Sequence, residues 1–111
     1  MADQLESGRG GIEDDCVLIA NAAGVLSAKL DKAHRSYPDR AFFLPNAYTW
    51  IVEFKRRGKR PRAQQSVRLA SFSTLGYPVD VIDSVDDFRS IFAERLSESR
   101  SWKRRRAALS D

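Results

Sequence analysis

Three charged side chains stand at the ends of two short apolar runs. Asp39 opens Asp39-Arg40-Ala41-Phe42-Phe43-Leu44, and Glu53 and Lys55 close Thr49-Trp50-Ile51-Val52-Glu53-Phe54-Lys55. Pro45-Asn46-Ala47-Tyr48 between them is turn-like. β-branched and aromatic runs around a short turn read as an antiparallel hairpin. Side chains alternate along a strand, so Thr49, Ile51, Glu53 and Lys55 share one face and Trp50, Val52 and Phe54 the other. With the turn centred near Asn46, Asp39 falls opposite Glu53 or close to it. Two carboxylates at one point repel each other, and a divalent cation relieves the repulsion. Mg2+ takes hard oxygen ligands and keeps several waters that substrate phosphates can replace. Such an ion polarises a phosphate and helps deprotonate an attacking water. Lys55 is placed to hold that water or to meet the charge that develops in the transition state. The plainer alternative is a solvated Glu53–Lys55 pair at a strand end, with Asp39 a turn residue after Pro38.

The rest of the chain must position that hairpin. Ile12 to about Ala23 reads as a helix, with Ile12, Cys16, Ile19 and Ala23 at helical spacing, acidic residues in its first turn and Gly24 as its cap. Glu13 borders its apolar face, in line with Val17 and Ala20. Val25 to Asp31 reads as a first strand, and Lys32 to Tyr37 as a polar connection holding the only histidine, His34. After the hairpin, Lys55-Arg56-Arg57-Gly58-Lys59-Arg60-Pro61-Arg62 is a basic loop marked by Gly58 and Pro61. Arg62 to Leu75 reads as a helix ending before Gly76, with Gln65, Leu69 and Phe72 along one side. Pro78 to Asp83 is a final strand. Ser84 and Asp87 form a weak capping box for a helix from Asp86 to about Ser97. Beyond it, residues 99–111 form a basic tail around Trp102, which could stack on a base or pack on a partner subunit. The order α-β-β-β-α-β-α describes an α/β domain with a mixed sheet between helices.

A chain of 111 residues makes one domain: residues 1–11 as a disordered start, 12–98 as the folded unit, then the tail. The single cysteine, Cys16, forms no internal disulfide and favours a reducing compartment. One histidine and one cysteine are too few for a zinc site. No stretch is long and apolar enough to span a bilayer, and the polar, acidic start is no signal peptide, so a soluble cytoplasmic protein is expected. Net charge is +4, concentrated in the basic loop and in Lys103–Arg106, which points to a polyanionic partner.

Pro38-Asp39-Arg40, Glu53-Phe54-Lys55, Gly58-Lys59-Arg60, Gln65, Leu69, Gly76-Tyr77-Pro78 and the strand Val79-Asp80-Val81-Ile82 follow one another in an order and spacing that resemble the virus-type replication-repair nuclease (VRR-NUC) family of the PD-(D/E)XK nuclease superfamily. The resemblance runs from about Glu13 to about Phe88. One departure is the residues before Pro38: the family usually has a glycine there, and this chain has Arg35-Ser36-Tyr37. The resemblance implies a restriction-endonuclease-like core and Mg2+- or Mn2+-dependent hydrolysis of DNA. It implies Asp39 and Glu53 as metal ligands with the Phe54 carbonyl, Lys55 as the group acting on water, Gln65 beside the site, and Glu13 as a further metal contact. Arg56, Arg57, Lys59, Arg60 and Arg62 would then hold the DNA backbone. Stand-alone members resemble small Holliday-junction resolvases and act as homodimers, which makes branched DNA the first expected substrate and a bacterial or phage-infected cytoplasm the expected setting. The competing expectation is a small basic nucleic-acid-binding protein without catalysis, and a third is a toxin or decoy that binds another protein.

Overall fold

The computed structural model describes residues 11–30 and 36–110, with side chains through residue 102. The expected disorder of the first residues and the segment holding His34 lie outside the described residues. The described elements are α1 (Ile12–Ala22), β1 (Leu26–Lys29), β2 (Arg40–Leu44), a 3-10 turn (Pro45–Ala47), β3 (Tyr48–Phe54), α2 (Ala63–Thr74), β4 (Val79–Ile82) and α3 (Val85–Ser110). This is the expected order. The four strands form one mixed sheet in the order β1-β2-β3-β4, antiparallel except for the parallel β3–β4 pair. The β3–α2–β4 crossover makes that parallel pairing possible.

Local chemistry explains most of the boundaries. Glu13, Asp14 and Asp15 occupy the first turn of α1, where the helix dipole favours negative charge. Gly24 ends it at φ +81°, its N–H donating to the Asn21 carbonyl while the Val25 N–H donates to Ala20. β1 is shorter than expected because it is an edge strand with one neighbour, although the Leu30 N–H still donates to the Asp39 carbonyl at 3.0 Å. The Ser84 hydroxyl accepts from the Asp87 N–H at 3.0 Å, which is the expected cap of α3.

One face of the sheet carries the core. Phe42, Trp50 and Phe54 from β2 and β3 meet Phe88 and Phe92 of α3, joined by Ile12, Cys16 and Ala20 of α1. Trp50 stacks on Phe88 with centroids 5.4 Å apart and lies nearly parallel to Phe92. Burial pushes the Cys16 thiol up to about 12, so it serves as packing. α2 belongs to the opposite face, and Leu69 is its only buried residue.

α3 continues to Ser110, past the end expected near Ser97. Residues 97–110 contain no glycine or proline, and the hairpin tip gives this stretch something to pack on. Asn46, at φ +66°, donates from Nδ2 to the Ser99 carbonyl at 3.0 Å. The Tyr48 and Trp102 rings meet edge to face at 6.0 Å.

Candidate active site

The hairpin register decides whether the charged groups meet. Leu44 pairs with Tyr48 and Arg40 with Val52, the last pair of the ladder; Asp39 and Glu53 are the next residue on each strand. The expected alternation holds as well. Lys55 Nζ lies 2.9 Å from Glu53 Oε2, so the ammonium and the carboxylate stand on the same side of β3. Asp39 reaches in from the neighbouring strand end, and its Oδ2 accepts the Phe54 N–H at 2.7 Å. That bond sets the aspartate against the backbone between Glu53 and Lys55.

Gln65 completes the corner from α2. Its Nε2 donates to Glu53 Oε2 at 3.1 Å, and its Oε1 accepts the Arg62 N–H at 3.0 Å. The side chain therefore does two things at once: it satisfies a backbone donor at the start of α2 and ties that helix to a buried carboxylate. Glu53 is 2% exposed. A carboxylate so removed from water requires cationic and hydrogen-bonding partners, and Lys55 and Gln65 supply both.

Glu13 meets a different set of groups. Its Oε2 accepts from Arg40 Nε at 3.1 Å and lies 3.7 Å from Lys29 Nζ. Arg40 shares the sheet face of Phe42 and also donates to the Ser27 hydroxyl at 2.8 Å. The contacts of Glu13 thus fall on the face turned away from Glu53 and Lys55, with Arg40 as its neighbour next to Asp39.

Arg56, Arg57, Lys59, Arg60 and Arg62 are all exposed. Their loop leaves the corner directly and is held by two backbone bonds around Gly58, which sits at φ +79°. The Gly58 N–H donates to Asp83 Oδ2 at 3.2 Å and the Lys59 N–H to the Arg56 carbonyl at 2.9 Å. Asp83 was not singled out from the sequence. The parallel β3–β4 register, which brings the end of β4 beside Lys55, is the signal that would have found it. Tyr37, near where a glycine was expected, lies beneath the Arg68 guanidinium at 4.9 Å and meets Phe72 edge to face at 5.7 Å. Arg68 Nε also donates to the Ser36 hydroxyl at 3.3 Å. The approach to Asp39 is therefore shaped by packing on α2.

The acidic oxygens at the corner are those of the Asp39 and Glu53 carboxylates, beside the Lys55 ammonium and the Gln65 amide. Hard oxygen donors suit Mg2+ or Mn2+. Among the described residues no group of three or more His, Cys, Asp or Glu side chains that could hold a metal ion stands together. Among the described residues no helix is long and apolar enough to cross a membrane.

No protein-family model and no curated protein matches the chain. Solved structures do. One described as a VRR_NUC domain superposes with a TM-score of 0.68 at 25% identity, over 74% of this chain and 90% of that one. Another, described as a VRR_NUC domain protein, gives a TM-score of 0.54 at 20% identity, over 64% of this chain and 67% of that one.

Proposed function

Because the chain is a VRR-NUC domain, we infer that it is a nuclease that hydrolyses DNA phosphodiester bonds with Mg2+ or Mn2+ at the corner formed by Asp39, Glu53, Lys55 and Gln65. The observation that carries this reading is the meeting of Lys55 and Gln65 on the Glu53 carboxylate, with Asp39 one register step away. Asp39, Glu53 and the Phe54 carbonyl would hold the ion. When bound, a divalent ion supplies positive charge to the scissile phosphate and acidity to the attacking water. Lys55 orients that water and offsets the charge gathering on the phosphate oxygens. Gln65 fixes the Glu53 carboxylate and so keeps the carboxylates in register. Glu13 acts one residue removed, by holding Arg40 beside Asp39.

The exposed cations of the 56–62 loop are read as the contact to the DNA backbone. They would set affinity and salt dependence without reading sequence. We further infer a structure-selective endonuclease of replication, recombination or repair, acting as a homodimer on branched DNA. A junction has two equivalent strands to cut, and a two-fold pair of small subunits supplies two equivalent sites. The expected setting is a bacterial or phage-infected cytoplasm.

A cleavage panel tests this reading: four-way junction, flap, single strand and plain duplex, each with Mg2+, Mn2+ or chelator. Metal-dependent cutting, strongest on the junction, is the expected result. Retention of DNA with no cutting under either metal would instead support a binding protein. In the same assays, replacing Arg56, Arg57 and Arg60 together with alanine should weaken DNA binding and flatten the slope of affinity against salt by about three phosphate contacts. An unchanged slope would show that the loop faces elsewhere. Gln65→Ala should slow cleavage by on the order of tenfold with DNA affinity retained. It should also cost about 1 kcal/mol of stability through the lost bond at the start of α2, read as a drop in Tm. Cleavage at the wild-type rate would remove Gln65 from the site.

A further inference from the structure

One cavity lies away from the acidic corner. It has a volume of about 610 Å3 and lies between the start of β3, the turn from α2 into β4, and the second half of α3. Tyr48 lines it, and Glu53 is five residues further along the same strand, about 17 Å away at the rise of an extended chain. Volumes of this size hold small organic molecules.

Its lining runs against the character of the chain. The sequence carries 19 Lys and Arg, yet among the described residues none of them lines this cavity, and the one charged lining residue is Glu98. Aromatic rings supply much of the wall: Tyr48 and Trp102 meet edge to face at 6.0 Å, and Tyr77 stands on the α2–β4 side.

Among the described side chains behind the wall, the charges of Arg95, Asp80 and Glu98 do not cancel. Arg95 donates from Nε to Asp80 Oδ2 at 2.8 Å, and its Nη1 lies 3.1 Å from Glu98 Oε2. One guanidinium is thus shared between two carboxylates, leaving a formal charge of −1. Trp50 Nε1 also donates to Asp80 at 2.7 Å, which keeps that carboxylate turned toward the core. The excess negative charge therefore falls on Glu98, whose side chain is 53% exposed. The Tyr48 hydroxyl donates to Glu98. That bond and the neighbouring Arg95 hold the Glu98 carboxyl below the usual carboxylate range. Burial, with the same bond, pushes the Tyr48 phenol up to about 12, so the tyrosine remains a donor at neutral pH.

An ionised carboxylate at the rim of an aromatic cavity attracts cations, because ring faces and the carboxylate act on them with the same sign. It repels phosphate. We propose that this cavity is a binding site for a small organic cation, a guanidinium or ammonium group on a short apolar stem, distinct from the nucleic-acid surface.

The full chain, labelled with 15N, is titrated with n-butylguanidinium, with its uncharged isostere n-butylurea, and with an N-acetylated arginine methylamide, which presents the same group as part of a peptide. Affinities are read by calorimetry and the location by amide shifts. n-Butylguanidinium should saturate with shifts at Thr49, Gly76 and Tyr77 and bind on the order of tenfold more tightly than n-butylurea. Glu98→Gln keeps an acceptor for Tyr48 and should lower that affinity by about tenfold with an unchanged melting curve. If that variant fails to fold, Trp102→Leu must show a comparable loss. Equal binding of the urea, full affinity in both folded variants, or shifts centred on Lys55 and Gly58 would overturn the proposal. Binding confined to the arginine methylamide would overturn it in favour of a protein partner.

Discussion

Glu53→Gln is expected to abolish cleavage, by on the order of 10³-fold or more, in a chain that still folds and still binds DNA. The substitution keeps the shape of the side chain and an oxygen for Gln65 to donate to, and removes the charge. Lys55 then loses its partner at 2.9 Å, but it can turn its ammonium toward water because its side chain is 15% exposed. Asp39→Asn should behave alike, since an amide oxygen can still accept the Phe54 N–H. Each change also removes a negative charge that would face phosphate, so DNA affinity should stay equal or rise. Lys55→Ala should be equally inactive, but it is a less clean test. It strands Glu53, whose side chain is 3% exposed, and removing one partner of a buried pair costs roughly 3–5 kcal/mol. Turnover near the wild-type rate in Glu53→Gln or Asp39→Asn, measured on the junction substrate with Mn2+, would defeat the assignment of the corner.

Trp50→Ala should produce the largest loss of stability of any single truncation. The ring is fully buried and touches Phe42, Phe88 and Phe92. Truncating a buried aromatic costs about 3–5 kcal/mol, because the transfer free energy is lost and a cavity is left. The indole also donates to Asp80, and that carboxylate would keep only Arg95 of the two partners described. Domains of this size have total stabilities of about 5–15 kcal/mol, so the variant should lose a large share of its stability and melt well below the wild type. Chemical denaturation followed by far-UV circular dichroism gives the number. A shift of the midpoint worth less than about 1 kcal/mol would mean that the aromatic stack is not what holds α3 to the sheet. Trp50→Phe should recover part of the loss, since it restores packing without the hydrogen bond.

What could be seen in the sequence was what depends on near neighbours. The β2–β3 register follows from a short turn and a period of two. The Gly24 and Ser84 caps follow from local backbone chemistry. The same-side placement of Glu53 and Lys55 follows from strand alternation alone. What stayed hidden depends on pairs far apart in the chain. Arg40 takes up Glu13 across 27 positions, and Tyr48 meets Glu98 across 50; no periodicity encodes either. The extension of α3 was missed because composition marks residues 99–111 as a polar tail, while packing of Tyr48 and Asn46 against the helix decides the matter. Gln65 was legible as a buried-face polar residue but not as the acceptor for its own helix start, because the residue three positions before it is Arg62 and not one of the usual capping side chains.

The two ends of the ribbon are held very differently. Its tip is bolted to α3 by Asn46 on Ser99 and by Tyr48 on Glu98 and Trp102. Its other end is held by backbone on both edges, the Asp39 carbonyl accepting from the Leu30 N–H and the Lys55 N–H donating to the Ile82 carbonyl, with side-chain bonds from Asp39 and Gln65 added. The carboxylates therefore stand on a clamped frame. An ion arriving there would meet oxygens whose backbone is already set.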